Sequence, residues 1–512
     1  STNWYADNFE LKLSSLNLEN TIINIKEKIE KVGSFDNLHL IPVPKSCKWH
    51  FQTDDNKKLN WKPIEISKQK LRPLAHISIC DQTIMTMLMM GLANRVETIQ
   101  GDPNIAFNEV HEKGVVSYGN RLYCQYLDDE ALYNYSSSNT YSKYFTDYQK
   151  FLKRPQYFAK ENIGKISPDE DLYILELDIE KFFDNVDREK LNNKIEKLNS
   201  NEKNEYLNNI LKKFNDWDWD KYSLSNFPIL FKDYKAPRGI PQGLVAAGFL
   251  SNIYLLDFDE LLKNKINSNL DETEIKLIDY CRYVDDIRLV IKCHKIINKF
   301  DILKKIEELF NEYIQDLDLK FNTEKSKIEK FIGSSGNISN KLSILKSRLS
   351  GPIPFEDVED QLGHLEALLN LTKEDKFQEE IDKESSPNFL QQIDKQYFDL
   401  REDTVKRFSA NKICKILSEI RHFASQEVDS NGVLIPGEWD YVQERIARRF
   451  IAIWCYDPSM TLLLKKGLEL FPDLQLLRPV INELRALIKG NDKVLKSIAE
   501  YSLAEIFRHS ST

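Results

Sequence analysis

The stretch CRYVDDIRLVI, residues 281–291, decides the fold. Its apolar and β-branched residues are those of a strand. Yet Asp285 and Asp286 stand side by side in its middle. Aspartate is depleted in strands, and neighbouring like charges repel. The run therefore predicts two strands bent at the aspartate pair. A hairpin whose carboxylates simply face water is the plain alternative for these residues taken alone. A third carboxylate, Asp178, ends the apolar run YILELD at 173–178. Phosphoryl transfer uses two divalent metal ions about 3.5–4 Å apart, held by hard oxygen ligands. A strand-end aspartate meeting a hairpin pair would supply those ligands. The cations would in turn cancel the repulsion.

The bulk numbers leave room for this reading. The chain has 512 residues, 41% hydrophobic and 29% charged, so two or three soluble globular domains are expected. No apolar run reaches 18 residues, so no membrane span is expected. The N-terminal STNWYADNFELK lacks the pattern of a signal peptide. Seven scattered cysteines form no CxxC pair, which argues against a disulfide framework or zinc ribbon and for a reducing cytoplasm. The net charge of −9 argues against a protein that coats nucleic acid non-specifically. Any such site is a local basic groove. SKQKLRP (Lys68, Lys70, Arg72) and FKDYKAPRG (Lys232, Lys235, Arg238) are two short basic stretches, each of which, taken alone, reads as a solvated face.

Along the chain, LENTIINIKEKIEKV predicts a helix, and residues 71–96 a short strand followed by a buried helix capped by Asp81. Residues 132–142 read as a mobile Ser-rich loop. RGIPQGLVAAGFLSNIYLLDFDELL predicts a Gly/Pro turn opening a long apolar helix, and a further helix is expected near 296–316. Beyond about residue 350 the character changes. Residues 355–405 hold 15 acidic and 5 basic residues, and helical apolar spacing then runs to the end.

Six segments in order over residues 70–335 resemble the reverse transcriptase family. LRPLAHISICDQTIMTMLM resembles its fingers segment, LDIEKFFDNV its first palm motif and RGIPQGLVAAGFLSNIYL its nucleotide-binding motif. RYVDD resembles its metal-binding hairpin, LDLKFNTEKSKI the following lysine motif and FIG the primer-grip turn. The resemblance implies an α+β right-hand polymerase with fingers and palm, followed by an all-α, HEAT-like helical C-terminal domain. The expected domains are an N-terminal extension (1–65), a fingers and palm domain (66–345, with insertions near 100–165 and 190–235) and a helical domain (346–512). It also implies roles. Asp178, Asp285 and Asp286 are the catalytic carboxylates and bind two Mg²⁺ ions, for which Mn²⁺ substitutes, with help from the Ile179 carbonyl. Arg72, with Lys70 as second candidate, contacts the triphosphate of a dNTP. Gln242 and Gly243 lie near the nucleotide, where Gly239 and Gly243 let the backbone approach closely. Lys325 assists departure of pyrophosphate, or is a solvated lysine. Phe183 matches the ring that excludes a ribose 2′-hydroxyl, a role compatible with core packing.

No RNase H-like, integrase-like or zinc-knuckle pattern follows the palm. A polymerase core with a helical C-terminal domain resembles the bacterial abortive-infection and defence-associated reverse transcriptases. That resemblance implies an antiphage, oligomeric, bacterial cytoplasmic enzyme. It would build DNA without a template, covalently attached to a tyrosine of its own. Tyr5 is the first candidate primer, because a chain end threads into a cleft at little cost, and Tyr133, Tyr135 and Tyr141 follow. The intact PQG keeps copying of a partner non-coding RNA open. A catalytically idle phage sensor is the third hypothesis, and the complete acidic set argues against it.

Overall fold

A computed structural model describes residues 7–31, 35–45, 48–53, 59–65, 70–137, 139–199, 209–210, 212–213, 216–230, 239–271, 273–331, 365, 402–421, 430, 438–472 and 474–510. The chain divides into two compact units. One comprises Ser1–Ile41, Leu74–Pro228 and Asp233–Ser335; the other Pro42–Pro73, Ile229–Lys232 and Gly336–Thr512.

The strands are β1 (His39–Lys45), β2 (Trp49–Thr53), β3 (Leu59–Pro63), β4 (Lys70–His76), β5 (Cys124–Leu127), β6 (Glu130–Tyr133), β7 (Glu170–Asp178), β8 (Lys276–Tyr283), β9 (Asp286–His294) and β10 (Lys327–Lys330). The helices are α1 (Asn8–Leu16), α2 (Leu18–Glu30), α3 (Ile79–Gln100), α4 (Tyr144–Ile163), α5 (Phe182–Asn185), α6 (Arg188–Asn199) and α7 (Lys221–Leu230), then α8 (Ala247–Lys265) and α9 (Lys299–Ile314). In the C-terminal part they are α10 (Glu402–Arg421), α11 (Glu438–Tyr456), α12 (Thr461–Leu470), α13 (Arg478–Ile488) and α14 (Lys493–Ser510).

The first unit is organised by a four-stranded antiparallel sheet in the order β10-β7-β9-β8. Strand β8 is buried along almost its whole length, because helices α4 and α8 both pack on it. The two charged residues buried within it, Asp279 and Arg282, are each paired with a buried partner of opposite charge, Arg154 and Asp259. Helix α9 covers β10. It starts where the Asn298 side chain accepts the Phe300 N–H at 3.1 Å, and it buries Ile302, Ile306, Phe310 and Ile314 as one stripe. Each such side chain contributes about 1.5–3 kcal/mol of burial free energy.

Helix α3 forms as expected, with one correction. Its N-cap is Ser78, whose hydroxyl accepts the Asp81 N–H; Asp81 itself is not the cap. Asp81 is buried in the first turn, 2.6 Å from the Lys28 ammonium of α2, and it accepts the Asp36 N–H. A residue three places into the helix has its side chain free for such a tertiary role, whereas the serine before the helix has the geometry of a cap. The stretch 132–142 is pinned at both ends. Tyr133 closes β6, and Tyr141 bridges to Leu122.

Among its described residues, the second unit has five helices of the C-terminal part, α10–α14, with α11 packing on α12 and α13 on α14. It also contains the β2–β3 hairpin from far upstream, which packs on α11 and α13. Trp49, Trp61 and Trp454 are all fully buried, with Trp61 4.5 Å from Trp49 and 5.9 Å from Trp454 between ring centres. The Trp61 indole N–H donates to the Cys455 carbonyl at 2.8 Å. The expected boundary at residues 65/66 falls inside the segment Pro42–Pro73.

Candidate active site

The register of the central strands builds the site. Strands β7 and β9 pair so that Asp178 lies directly opposite Asp286. The tight turn between β8 and β9 is Val284–Asp285. The Ile179 N–H donates to the Asp285 carbonyl at 3.2 Å, which ties the turn to the end of β7. The Asp178 carbonyl accepts the Asn322 N–H at 2.7 Å. Lys325 follows three residues later, and its ammonium is 2.6 Å from Asp178 Oδ2. Sheet pairing therefore brings Asp178, Asp285, Asp286 and Lys325 to one end of the sheet.

Holding the turn has a conformational cost. Val284 adopts φ +59°, a left-handed conformation that a β-branched residue rarely takes. Two-residue hairpins favour positive φ, so the tightness of the turn demands it. Gly119 braces the turn from behind. A Cβ there would lie 2.5 Å from the Val284 nitrogen and 2.8 Å from its Cγ2. The segment Val116–Gly119 runs beside β8, with the Arg282 N–H donating to Val116 and the Tyr118 N–H to Arg282, at 2.9 and 3.0 Å. Beneath the turn, fully buried Arg282 forms a fork with Asp259 (2.8 and 2.7 Å) and donates to Asn252 Oδ1 at 2.9 Å. Asn252 Nδ2 donates to the Gly119 carbonyl at 2.9 Å. Tyr280 donates to Asp259 at 2.7 Å. Removing one partner of such a pair leaves an uncompensated buried charge, at a cost of about 3–5 kcal/mol.

After Asp178 the chain turns through Lys181, at φ +45°, into α5. Phe182 is buried, while Phe183 is only partly covered and meets Phe182 edge-on at 5.4 Å. The PQG turn is seated on this corner. The Ile240 N–H donates to the Phe183 carbonyl at 2.7 Å, and a Cβ on Gly239 would come within 2.1 Å of that oxygen. Only glycine allows this approach. Gln242 Nε2 donates to Asp184 Oδ1 at 3.0 Å, and the Gln242 carbonyl accepts the Ala75 N–H of β4 at 2.7 Å. Gly243 takes φ +96° against Leu74 and Ala75. Lys70 and Arg72 are exposed residues earlier on β4.

Of the tyrosines, Tyr141 donates its hydroxyl to the Val245 carbonyl at 2.5 Å, and burial pushes its pKa up. Tyr133 is buried, and burial pushes its pKa up too. Tyr135 is 61% exposed, with its ring edge on Tyr133. Tyr5, Lys68, Lys232, Lys235 and Arg238 lie outside the described residues, as does the primer-grip stretch after Phe331.

The three palm carboxylates are the hard oxygen set that Mg²⁺ takes. Among the described residues, the trio of possible ligands that converges within 4.8 Å is a different one, Asp7, Glu10 and His76. There Asp7 caps α1 and Glu10 accepts the Ile79 N–H, so both acids also serve the fold. At the palm, the Lys325 ammonium stands at Asp178 Oδ2, where a cation's ligand would be offered.

Sequence reasoning missed Asp184, Gly119, Asn252 and Asp259. A signal existed for the last two. They lie seven residues apart, on one helical face of the apolar run LSNIYLLDFDELL. No local signal marks the other two, because their partners are distant in sequence.

Residues 151–348 match the family model described as reverse transcriptase (RNA-dependent DNA polymerase). This part of the chain is a reverse transcriptase domain, an enzyme module of the nucleotidyltransferase class. No curated protein matches the chain. Among solved structures, it is similar to telomerase from Candida albicans in complex with a fragment of telomeric RNA, at 10% identity and TM-score 0.34, covering 91% of this chain and 66% of that one. It is also similar to apo telomerase from Candida tropicalis, at 14% identity and TM-score 0.31, covering 95% and 74%. No described helix is long and apolar enough to cross a membrane.

Proposed function

We propose that this chain is a DNA polymerase that transfers nucleotides from dNTPs at the Asp178–Asp285–Asp286 site. The observation that carries the reading is the register, which sets Asp178 opposite Asp286 at the hairpin turn. Asp178 and Asp285 would hold two Mg²⁺ ions with Asp286 and the Ile179 carbonyl in support. When bound, such ions lower the pKa of an attacking hydroxyl and stabilise the departing pyrophosphate. Phe183 stands five residues beyond Asp178 as the ring that limits the sugar. Lys325, beside Asp178, is the proton donor or charge partner for pyrophosphate, and Arg72 and Lys70 are the triphosphate contacts. The test is incorporation of labelled dNTP by pure protein in Mg²⁺. Asp178→Asn and Asp285→Asn should lose it while remaining folded. Wild-type incorporation by folded Asp285→Asn protein would sink the assignment.

Within that reading, the helical part that follows the palm supports a place among antiphage defence polymerases that extend a tyrosine of their own chain without a template. These would be oligomeric enzymes of the bacterial cytoplasm. Tyr5 remains the first candidate. Of the loop tyrosines, Tyr135 is favoured by its exposure, and Tyr141 is disfavoured by its hydroxyl bond to Val245. A phenol with a pKa near 10 needs a metal ion nearby to attack as phenolate. A second reading, copying of a partner RNA, is favoured by the fully seated PQG turn. Incubation with dNTPs and Mg²⁺ but no nucleic acid separates the two. A nucleotide adduct on a tyrosine peptide supports self-priming. Synthesis that appears only after RNA is added supports templated copying.

A further inference from the structure

We propose that Asp184 is a positioning residue that orients the Gln242 carboxamide, leaving Oε1 as a fixed hydrogen-bond acceptor for the nucleoside part of the incoming nucleotide. The inference rests on the polymerase reading above. A carboxylate can only accept, so the amide that meets Asp184 Oδ1 at 3.0 Å must present its NH₂ group. Its carbonyl oxygen is then the free end. The backbone of this turn is already held on two sides. Ile240 donates to the Phe183 carbonyl, the Gln242 carbonyl accepts from Ala75, and Gly239 lies flush on Phe183 and Asp184. What remains is the rotation of the glutamine side chain, and the bond to Asp184 removes it.

The polarity of the free end has a chemical consequence. At neutral pH a triphosphate carries acceptor oxygens, and the divalent ions and basic side chains satisfy them. An amide oxygen gains nothing there. Its partner must be a donor, and a deoxynucleoside triphosphate offers donors only on its sugar hydroxyl and on its base. Asp184 therefore tunes affinity for the nucleoside and leaves affinity for the triphosphate alone. Because Asp184 follows Phe183 directly, one short helix would set both the ring that bounds the sugar and the amide that reads the nucleoside.

The experiment measures kcat and KM for dATP together with competitive inhibition by inorganic tripolyphosphate. It compares wild type, Asp184→Ala, Asp184→Asn, Gln242→Ala and the double alanine variant. Asp184→Ala should raise the dATP KM about five- to tenfold, the range of one net hydrogen bond, with kcat within about twofold. The tripolyphosphate inhibition constant should not move. Asp184→Asn, which keeps an acceptor, should recover part of the loss. In the Gln242→Ala background, Asp184→Ala should add little, because both changes remove the same contact. Additive losses, or equal weakening of dATP and tripolyphosphate, would show a merely structural aspartate and overturn the proposal. So would an unchanged KM. If Asp184→Ala does not fold, Asp184→Asn combined with Gln242→Ala carries the same comparison. Failure of wild type to incorporate dATP at all would instead reject the polymerase reading.

Discussion

Lys325 is ion-paired with Asp178: its ammonium lies 2.6 Å from Oδ2, on a lysine side chain 58% exposed and a carboxylate almost covered. The ammonium therefore holds an oxygen that a divalent cation would also claim. Replacing Lys325 with Met should lower the Mg²⁺ concentration for half-maximal incorporation severalfold, because a competitor is gone. It should also slow turnover by about 10²-fold or more if the lysine donates a proton to pyrophosphate. Because the lysine end of the pair is in solvent, its attraction is screened to about 0–1 kcal/mol, so the melting temperature should shift by no more than about 3 °C. A Mg²⁺ titration of initial rates checks the first point. A raised Mg²⁺ requirement would mean that Lys325 helps to gather the site.

Gly119 leaves no room behind the hairpin turn. Gly119→Ala should push on the Val284 backbone, costing about 1–3 kcal/mol and moving Asp285. Activity should fall further than the melting temperature implies. Val284→Gly should relieve the left-handed strain at Val284 and restore part of the activity of Gly119→Ala. Thermal melts and incorporation rates on the single and double variants test this coupling.

Phe183→Ala should let ATP compete with dATP, because the partly covered ring that would exclude a 2′-hydroxyl is gone. Since Phe183 is not fully buried, the stability cost should be below the 3–5 kcal/mol, roughly, of a core phenylalanine. Unchanged discrimination between ATP and dATP in the folded variant would make Phe183 a packing residue.

Acid lability should centre on Asp279. Burial alone would push this carboxyl up. The Arg154 guanidinium, with bonds of 2.7–3.1 Å, and His111 at 2.8 Å reverse that and hold it below its ordinary value. A carboxyl depressed in the fold contributes stability above its unfolded pKa, near 3.9, and that stability drains as pH falls toward the folded value. Wild type should therefore lose stability below about pH 4. Asp279→Asn should be less stable at pH 7 by about 3–5 kcal/mol, having left Arg154 uncompensated, and should show a flatter acid limb. Urea unfolding between pH 7 and 2.5 measures both.

The centre of the palm was legible in the sequence because its signals are local. The strand ends at Asp178, the bend at Asp285, the helix opened by Asn298 and the glycines of the PQG turn each follow from residues within a few positions. The less legible features depend on distance. Nothing near Trp49 or Trp61 announces a partner at Cys455, and nothing near Gly119 announces Val284. Asp81 misled because an aspartate at a helix start usually caps it, while here a serine three residues earlier does so and frees the acid for Lys28. Asp184 was passed over because nothing in the short helix α5 marks it, and its value comes from a glutamine on a separate segment.

The hairpin carrying Trp61 also orders events during synthesis. The indole and the carbonyl it meets are 394 residues apart. At roughly 5–20 residues per second, a ribosome needs on the order of 20–80 s to deliver Cys455 after Trp61 has emerged. Through that interval two tryptophans wait without their helices, on an aromatic hairpin of the kind that chaperones hold and that aggregates readily. The nascent chain therefore has a window of vulnerability that closes only near its end. Late truncations should leave these tryptophans uncovered, and the product should turn up among insoluble or degraded species.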